Sequence, residues 1–169
     1  MAENEQLPQD EAQAEAKQPV FSMQRCYLKD ASLEMPHAPQ ILMQPQMEQP
    51  QVDIQFEVSQ SVISDALFDV TVRGTVTVTA GRKTIILVEG KQSGIFQIQN
   101  MPVEALAHIT NVICPATIYP YLRANIADLM TRANVPPVHL PEVNFEVLYQ
   151  QRLAQQAAQQ NNSAEAEVN

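Results

Sequence analysis

The stretch that decides the fold is Thr84–Ile98, TIILVEGKQSGIFQI, which predicts a long β-strand with two unlike faces. Successive side chains of a strand point to opposite faces. Glycines inside a strand often mark a bulge or the close approach of another backbone. The face that carries Gly90 and Gly94 is therefore predicted to contain a bulge or to be approached closely by another backbone, and its flatness suits close packing across a subunit interface. The first face carries Ile85, Leu87, Glu89 and Lys91, and the second carries Ile86, Val88, Gly90, Gln92, Gly94, Phe96 and Ile98.

Two further strand patterns precede this stretch, at Val52–Val58 and Leu67–Ala80. Both alternate apolar and polar residues, and the second alternates mainly valine with threonine. Gly81 then provides a turn into the Thr84–Ile98 strand. Because strands this long lack helices on both sides in sequence, they favour an antiparallel sheet.

The first strand pattern, Phe21–Met35, carries two acids on one face. Alternation places Leu28, Asp30 and Glu34 on that face and Tyr27 on the opposite one. The two carboxylates would lie about 13 Å apart along the strand. Carboxyl pairs that hydrolyse glycosides lie about 5 to 9.5 Å apart. A binding surface is therefore favoured over an acid/base pair, and a solvated outer face of the sheet is the open alternative.

The segment Pro36–Pro50 is predicted to be a long loop, because prolines at 36, 39, 45 and 50 block helix and central strand. A loop this long inside a compact domain is usually functional. It is also apolar, with Ile41, Leu42 and Met43. It either folds over the core as a flap or exposes an apolar surface.

Helical spacing begins after Pro102, and Pro115 and Pro120 interrupt it before it resumes over residues 121–133. This pattern predicts one long helix kinked in the middle, or two helices in series. Asn144 is placed to cap a short last helix. The fold class is therefore α+β, a four-stranded antiparallel sheet with a long proline-broken helix and a short C-terminal helix packed on one side.

Composition divides the chain into an acidic, disordered tail (1–19), one domain (20–153) and a Gln/Ala-rich disordered tail (154–169). The net charge of −9 argues against a general nucleic-acid binder, which needs a basic face. No apolar run approaches the roughly 20 residues of a membrane span. The acidic N-terminus also lacks the apolar region of a signal peptide. These observations predict a cytoplasmic protein that does not insert directly into a membrane.

No motif for catalysis or metal binding is present. His37, His108 and His139 lack the spacing of metal ligands. Cys26 and Cys114 lack a CxxC spacing and are predicted to be free, buried thiols. No GxSxG sequence marks a nucleophile. The chain is therefore not expected to be an enzyme, although a small enzyme hidden in a pocket of this fold stays an alternative.

Several strings at consistent spacing over residues 20–153 resemble the SecB family of bacterial protein-export chaperones. They are Gln24-Arg25 followed by YLKD (27–30), EMPHAP (34–39), LVEGKQSGIF (87–96), Cys114-Pro115, Tyr119-Pro120-Tyr121 and PEVNFEVL (141–148). The resemblance implies a SecB-like fold. It also implies a chaperone that holds unfolded preproteins and delivers them to the SecA ATPase, as a homotetramer built as a dimer of dimers. It implies no cofactor, nucleotide or metal.

Site residues follow from the same resemblance. The resemblance implies that SecA binds at Asp30, Glu34, Leu87 and Glu89. It implies that Val88, Gly90 and Gln92 take part in subunit pairing. A SecB-like chaperone dedicated to one partner, such as an antitoxin, is the alternative function.

Client binding requires adaptable apolar surface, for which methionine is well suited. The family places client grooves in the region of the proline-rich loop and the last helix. In the alternative interpretation these residues only cap the core. The candidates are Met35, Ile41, Leu42, Met43, Phe145 and Leu148.

Overall fold

The computed structural model describes residues 18–43 and 48–166, and the described chain forms one sheet with helices on one side. The strands are β1 (Val20–Glu34), β2 (Gln51–Ser64), β3 (Leu67–Ala80) and β4 (Lys83–Gln99). They lie in the order β1-β4-β3-β2, and every neighbouring pair is antiparallel. The predicted fold class is thereby confirmed. The helices are α1 (Gln40–Met43), α2 (Val103–His108), α3 (Cys114–Arg132) and α4 (Phe145–Ala166).

Alternation along β3 and β4 builds the core, as the sequence predicts. The helix face is the side of the sheet that α3 covers. It carries the valines of β3 and the even-numbered residues of β4. The opposite side is named the outer face. The fully buried strand side chains on the helix face are Val70, Val72, Val76, Ile86, Val88 and Phe96. From α3, the fully buried apolar residues include Ile118, Leu122, Ile126 and Met130.

Glycines let α3 lie close to the sheet. Gly74 of β3 and Gly90 of β4 are direct cross-strand partners. A Cβ atom built on either would lie 3.1 Å from a Leu122 methyl carbon, and one on Gly94 would lie 2.9 Å from Cγ2 of Ile118. The predicted close approach at the flat face is correct, and the element that approaches is a helix of the same chain.

The three residues assigned to subunit pairing, Val88, Gly90 and Gln92, lie on this covered face. All three are buried beneath α3, and Gln92 is 2% exposed. Asn125 of α3 donates to Oε1 of Gln92 at 2.8 Å, and Gln92 donates to the sulfur of Cys26 at 3.2 Å. The side chain of Gln92 therefore contacts α3 of its own chain, and the role of the three residues in subunit pairing stays a prediction.

The chain between Val103 and Arg132 stays helical despite its prolines. A π-helical segment, Ile109–Ile113, joins α2 to α3. Pro115 occupies the first turn of α3, where a missing N–H does little harm, and Pro120 lies inside α3. π-helical turns are rare and occur mostly as single-turn bulges inside α-helices. The predicted break is therefore a local change in helix geometry.

The last helix is longer than expected. Asn144 accepts a hydrogen bond from the backbone N–H of Val147 at 3.1 Å, so the predicted cap is confirmed. However, α4 continues to Ala166, through residues 154–166, whose composition predicts a disordered tail. Alanine, glutamine and glutamate have high helix propensities, which accounts for the extension. The remaining tail positions, 1–17 and 167–169, lie outside the described residues.

A bulge changes the faces of β1. Leu28 pairs with Gln92, and Asp30 pairs with Lys91, so Lys29 is an extra residue in β1. Strict alternation therefore fails at this point. Leu28 lies on the helix face and Tyr27 on the outer face, which reverses the assignment made from the sequence.

Both cysteines are free, as predicted. Cys114 is fully buried, and burial raises the pKa of its thiol to about 12. A thiol with that pKa carries almost no thiolate near neutral pH, so Cys114 fills the core without reactivity. Cys26 is partly exposed, so the prediction of a buried thiol is correct for Cys114 and wrong for Cys26. Separately, none of the helices in the described ranges is long and apolar enough to cross a membrane.

Candidate functional site

Four charged side chains form a row across the outer face, one from each strand. Glu57 of β2 is the cross-strand partner of Arg73 in β3, which is the partner of Lys91 in β4. Lys91 is in turn the partner of Asp30 in β1, and its Nζ lies 3.1 Å from the Asp30 carboxylate. The row therefore places two cations side by side between two anions. This charged row (Glu57, Arg73, Lys91 and Asp30) defines the centre of the outer face.

Glu89 compensates the two adjacent cations. Like charges directly opposite each other destabilise a sheet. Nη2 of Arg73 lies 2.5 Å from one carboxylate oxygen of Glu89, and Nζ of Lys91 lies 3.8 Å from the other. Thr75 donates a third contact at 3.2 Å. The hydrogen bond from Arg73, reinforced by these neighbours, holds the pKa of the Glu89 carboxyl below its ordinary value. Glu89 is therefore an anion throughout the neutral range.

Leu87 lies between two acids on the same face. Its cross-strand partner is Glu34, while Glu89 is two residues along β4. Glu34 is exposed, and among the described residues it has no ion-pair partner. Leu87 is partly buried. An apolar side chain flanked by two carboxylates complements a partner segment that alternates cationic and apolar residues.

The structure thus brings all four of Asp30, Glu34, Leu87 and Glu89 onto one face of adjacent strands. Asp30 and Glu34 are separated along β1 and have different neighbours, which gives them no shared acid/base geometry. Sequence reasoning missed Arg73 and Lys91 as members of this site. Alternation places Lys91 on the same face of its strand as Leu87 and Glu89, but the register that pairs Lys91 with Arg73 was needed to find the row.

A second polar cluster fixes the β1 bulge. Asp69 is 7% exposed and accepts hydrogen bonds from Tyr27 at 3.0 Å and Lys29 at 2.7 Å. Burial, and then the Asp69 hydrogen bond, raises the pKa of the Tyr27 hydroxyl. The hydrogen bond to Asp69 raises the pKa of the Lys29 ammonium. A buried carboxylate paired in this way ties the extra residue of β1 to β3.

A groove lies on the helix side, between α4 and the edge strand β2. Phe145 and Leu148 of α4 line it together with Phe56 and Val58 of β2. Phe145 is 4% exposed and forms part of the wall, whereas Leu148 is 38% exposed. The α4 groove is defined by these four residues and Arg152. It offers apolar surface beside polar groups.

Aromatic and polar contacts hold the groove walls in place. Tyr119 packs edge-on against Phe56 and Phe145, with ring centroids 5.7 and 5.5 Å apart. Arg152 donates to the backbone carbonyl of Val58 at 2.9 Å and to Asn111 at 3.3 Å. The groove is therefore supported from α3, from β2 and from the π-helical segment.

One more contact ties α4 to the helical layer. Nε2 of His108 lies 2.7 Å from the Glu146 carboxylate, which also accepts from Gln150 at 3.0 Å. The hydrogen bonds from Gln150 and His108 lower the pKa of Glu146. His108 is thus an anchor of α4. No group of three or more potential metal ligands occurs within residues 18–43 and 48–166.

The other candidate client residues lie on a different segment. Met35 is partly buried after β1, and nearby His37 contacts the backbone carbonyl of Thr84 at 3.1 Å. On α1, Ile41 is buried in the core, while Leu42 and Met43 are 56% and 83% exposed. Ile41 therefore anchors α1, and its two neighbours face outward. The structure places these residues on α1 and its approach, apart in sequence and element from the α4 groove.

Comparison with known proteins points to one family. The family described as "Preprotein translocase subunit SecB" matches residues 14–156. A protein of Bordetella petrii named "Protein-export protein SecB" is 45% identical over 171 residues, covering 99% of this chain and 95% of that protein. Another with the same name, from Janthinobacterium sp. (strain Marseille), is 52% identical over 143 residues, covering 85% of this chain and 86% of that protein.

A solved structure has the same fold. It is the SecB-like chaperone of Mycobacterium tuberculosis in complex with an antitoxin peptide, with a TM-score of 0.58 and 17% identity. The alignment covers 73% of this chain and 90% of that one. At this identity the likeness concerns the fold alone. The family match and the curated relatives carry the assignment, and the chain belongs to the SecB family of protein-export chaperones.

Proposed function

We propose that this chaperone holds unfolded preproteins at apolar surface on its helix side and delivers them to SecA through the acidic outer face. The observation that carries the proposal is the separation of the two surfaces by the sheet. The α4 groove lies on the helix side, and Glu89 and Leu87 lie on the outer face. A client and the SecA motor could therefore be bound at the same time, as delivery requires.

Charge supports the outer face as the motor-binding surface. The carboxylates of Asp30, Glu34 and Glu89 would steer and hold a basic segment of SecA, with binding that weakens as salt rises. Leu87 adds an apolar contact between them. The partner is thus a cationic segment with at least one apolar side chain.

Exposed apolar residues support client binding and self-association. Leu148 in the groove, with Leu42 and Met43 on α1, offers surface to apolar side chains of an unfolded chain. Phe21, Met23 and Leu28 line the helix face of the free edge strand β1 at 38 to 45% exposure. A free edge with apolar residues favours pairing with a second chain. The proposed assembly is a homotetramer, a dimer of dimers, working in the cytoplasm by binding alone.

A role for Val88, Gly90 and Gln92 in subunit pairing would then be indirect. These residues set the position of α3 against the sheet. Tyr121 of α3 is 50% exposed. A substitution under α3 would shift the exposed surface of the helix and so alter any subunit contact that it makes.

The holdase activity is tested by mixing the protein with a denatured export precursor and following refolding after dilution. Refolding is expected to slow in proportion to chaperone concentration, because bound segments cannot join the folding core. A stable complex should be recovered by size-exclusion chromatography. Unchanged refolding at every ratio would contradict the proposal.

Leu148→Asp is expected to weaken client binding by about tenfold. The change places a charge on an apolar contact of the groove, and a desolvated charge costs more than the lost contact alone. Binding is measured by the chaperone concentration that halves the refolding rate. Val147→Asp is the matched control, because Val147 is 48% exposed on α4 but does not line the groove. Equal weakening by both variants would show that charge on α4 acts without reference to the groove.

The alternative, a SecB-like chaperone dedicated to an antitoxin, has less support. The relatives that cover most of the chain at 45 and 52% identity are named export proteins. The structure with an antitoxin peptide shares 17% identity. A pull-down from the native cell separates the two, since an export chaperone recovers several precursors and a dedicated chaperone recovers one protein.

A further inference from the structure

Arg73 has a position on the outer face that the proposed function does not use. Its guanidinium forks between two strands, with Nη2 2.5 Å from Glu89 and Nη1 3.4 Å from Glu57. The side chain of Arg73 is 44% exposed, while that of Glu89 is 18% exposed. The cation therefore lies over the carboxylate that a basic partner would seek.

The whole cluster is nearly neutral. Asp30, Glu57 and Glu89 supply three negative charges, and Arg73 and Lys91 supply two positive ones, leaving −1. Within this cluster, the acids that a basic partner would meet are therefore largely paired with Arg73 and Lys91 already. Removal of either cation would double the net negative charge, from −1 to −2.

We infer that Arg73 acts as an internal competitor, which a cationic side chain of the partner must displace from Glu89 before it can bind. This inference rests on the proposed docking of SecA at the outer face. Its consequence is an affinity set below the maximum that the carboxylates could give. A delivery chaperone has to release its partner after each transfer, and such a competitor favours release.

Arg73 has a second ion-pair partner to which it can shift. Glu57 is 62% exposed and already shares the guanidinium, so Arg73 can leave Glu89 without losing its ion pair. A shallow depression lined by Gln55, Glu57, Arg73 and Thr75 lies beside it. The partner's cation would take the place at Glu89 while Arg73 shifts toward Glu57.

The test compares SecA binding by the wild type, Arg73→Gln and Arg73→Lys at low and high salt. Arg73→Gln frees Glu89 and is expected to tighten binding on the order of fivefold at low salt, since a unit charge at about 4 Å in water contributes on this scale. Arg73→Lys keeps the charge but loses the fork, and should lie between the other two. Melting temperatures confirm that each variant is folded.

Arg132→Gln is the matched control. It removes one positive charge from an exposed side chain of α3, where Arg132 pairs with Asp128 at 2.7 Å. SecA affinity close to that of the wild type is expected, because the same change in net charge lies away from the outer face. Equal tightening by Arg132→Gln would overturn the inference in favour of overall charge.

Two other outcomes also overturn it. Arg73→Gln could leave the affinity unchanged, or could weaken it, which would make Arg73 a residue that positions Glu89 for the partner. Failure of the proposed function looks different, because the wild type itself would not bind SecA at any salt concentration. The wild-type arm therefore separates the two failures.

Discussion

Replacing Gly94 with alanine is expected to lower the free energy of unfolding by about 2–3 kcal/mol, in the upper range for overpacked cores. A Cβ atom at this position would lie 2.6 Å from Cε2 of Phe96 and 2.9 Å from Cγ2 of Ile118. Both side chains are fully buried, so neither can move aside into solvent. Strand or helix must shift instead. The melting temperature should fall by about 4–12 °C, followed by circular dichroism at fixed protein concentration.

Gly90→Ala is the matched control for that change. Its new methyl group would lie 3.1 Å from Cδ1 of Leu122, at the flexible end of a side chain, and 3.5 Å from Ile126. A small adjustment of Leu122 relieves this contact, so Gly90→Ala should destabilise the protein clearly less than Gly94→Ala. Equal losses, or a loss confined to Gly90→Ala, would contradict the packing argument. Both residues share the same strand and face, so differences in β-propensity cancel.

The glycines also show what local sequence can and cannot predict. Alternation in Thr84–Ile98 correctly separated Leu87 and Glu89 from Gly90 and Gly94. The small residues correctly predicted a close neighbour, because only a missing Cβ leaves room for one. The identity of the neighbour depends on which element the chain folds over that face. Nothing within the strand encodes that the neighbour is α3.

The β1 bulge illustrates a second limit. Strict alternation assigned the faces of Tyr27 and Leu28, and the extra residue Lys29 reversed both. A bulge is defined by the pairing of two strands, so it is invisible in either strand alone. Its stabilising partner, Asp69, lies forty residues away along the chain in β3. Asp30 and Glu34 still share the predicted face, because both acids follow the bulge in sequence.

Ion pairs on the outer face were likewise beyond sequence reasoning. Arg73 and Glu89 sit on different strands, and their contact follows from the β3–β4 register. The extension of α4 to Ala166 had a readable signal in its alanine and glutamine content, but low complexity also suggests disorder. The sequence motifs were enough to predict the family, whereas the ion pairs of the site became visible only with the register of the strands.

Glu89→Lys is expected to weaken SecA binding at least tenfold while client binding stays at the wild-type level. The substitution changes the charge of the five-residue cluster from −1 to +1, because one of three anions becomes a third cation. It also removes the carboxylate that separates Arg73 from Lys91. Truncating one partner of a charge pair that is buried and hydrogen-bonded in the complex costs about 2–5 kcal/mol of binding, which corresponds to more than tenfold. Isothermal calorimetry with SecA and the refolding assay measure the two activities on the same sample.

The matched control is Glu142→Lys, which makes the same change in net charge at an exposed residue of the connector before α4. SecA binding by this variant should stay within about twofold of the wild type, since salt screens the effect of charges that lie beyond a Debye length from the contact.

Titration of Glu89 does not complicate the comparison. Its pKa is lowered, so the carboxylate is charged at every pH above the ordinary pKa of glutamate. Wild-type binding therefore gains nothing from Glu89 ionisation between pH 6 and 8.

Equal loss of SecA and client binding in Glu89→Lys would indicate unfolding, because the α4 groove lies across the sheet from the altered charge. Equal weakening of SecA binding by Glu142→Lys would show that SecA responds to the charge of the whole protein. That result would contradict the proposal that SecA docks on the outer face.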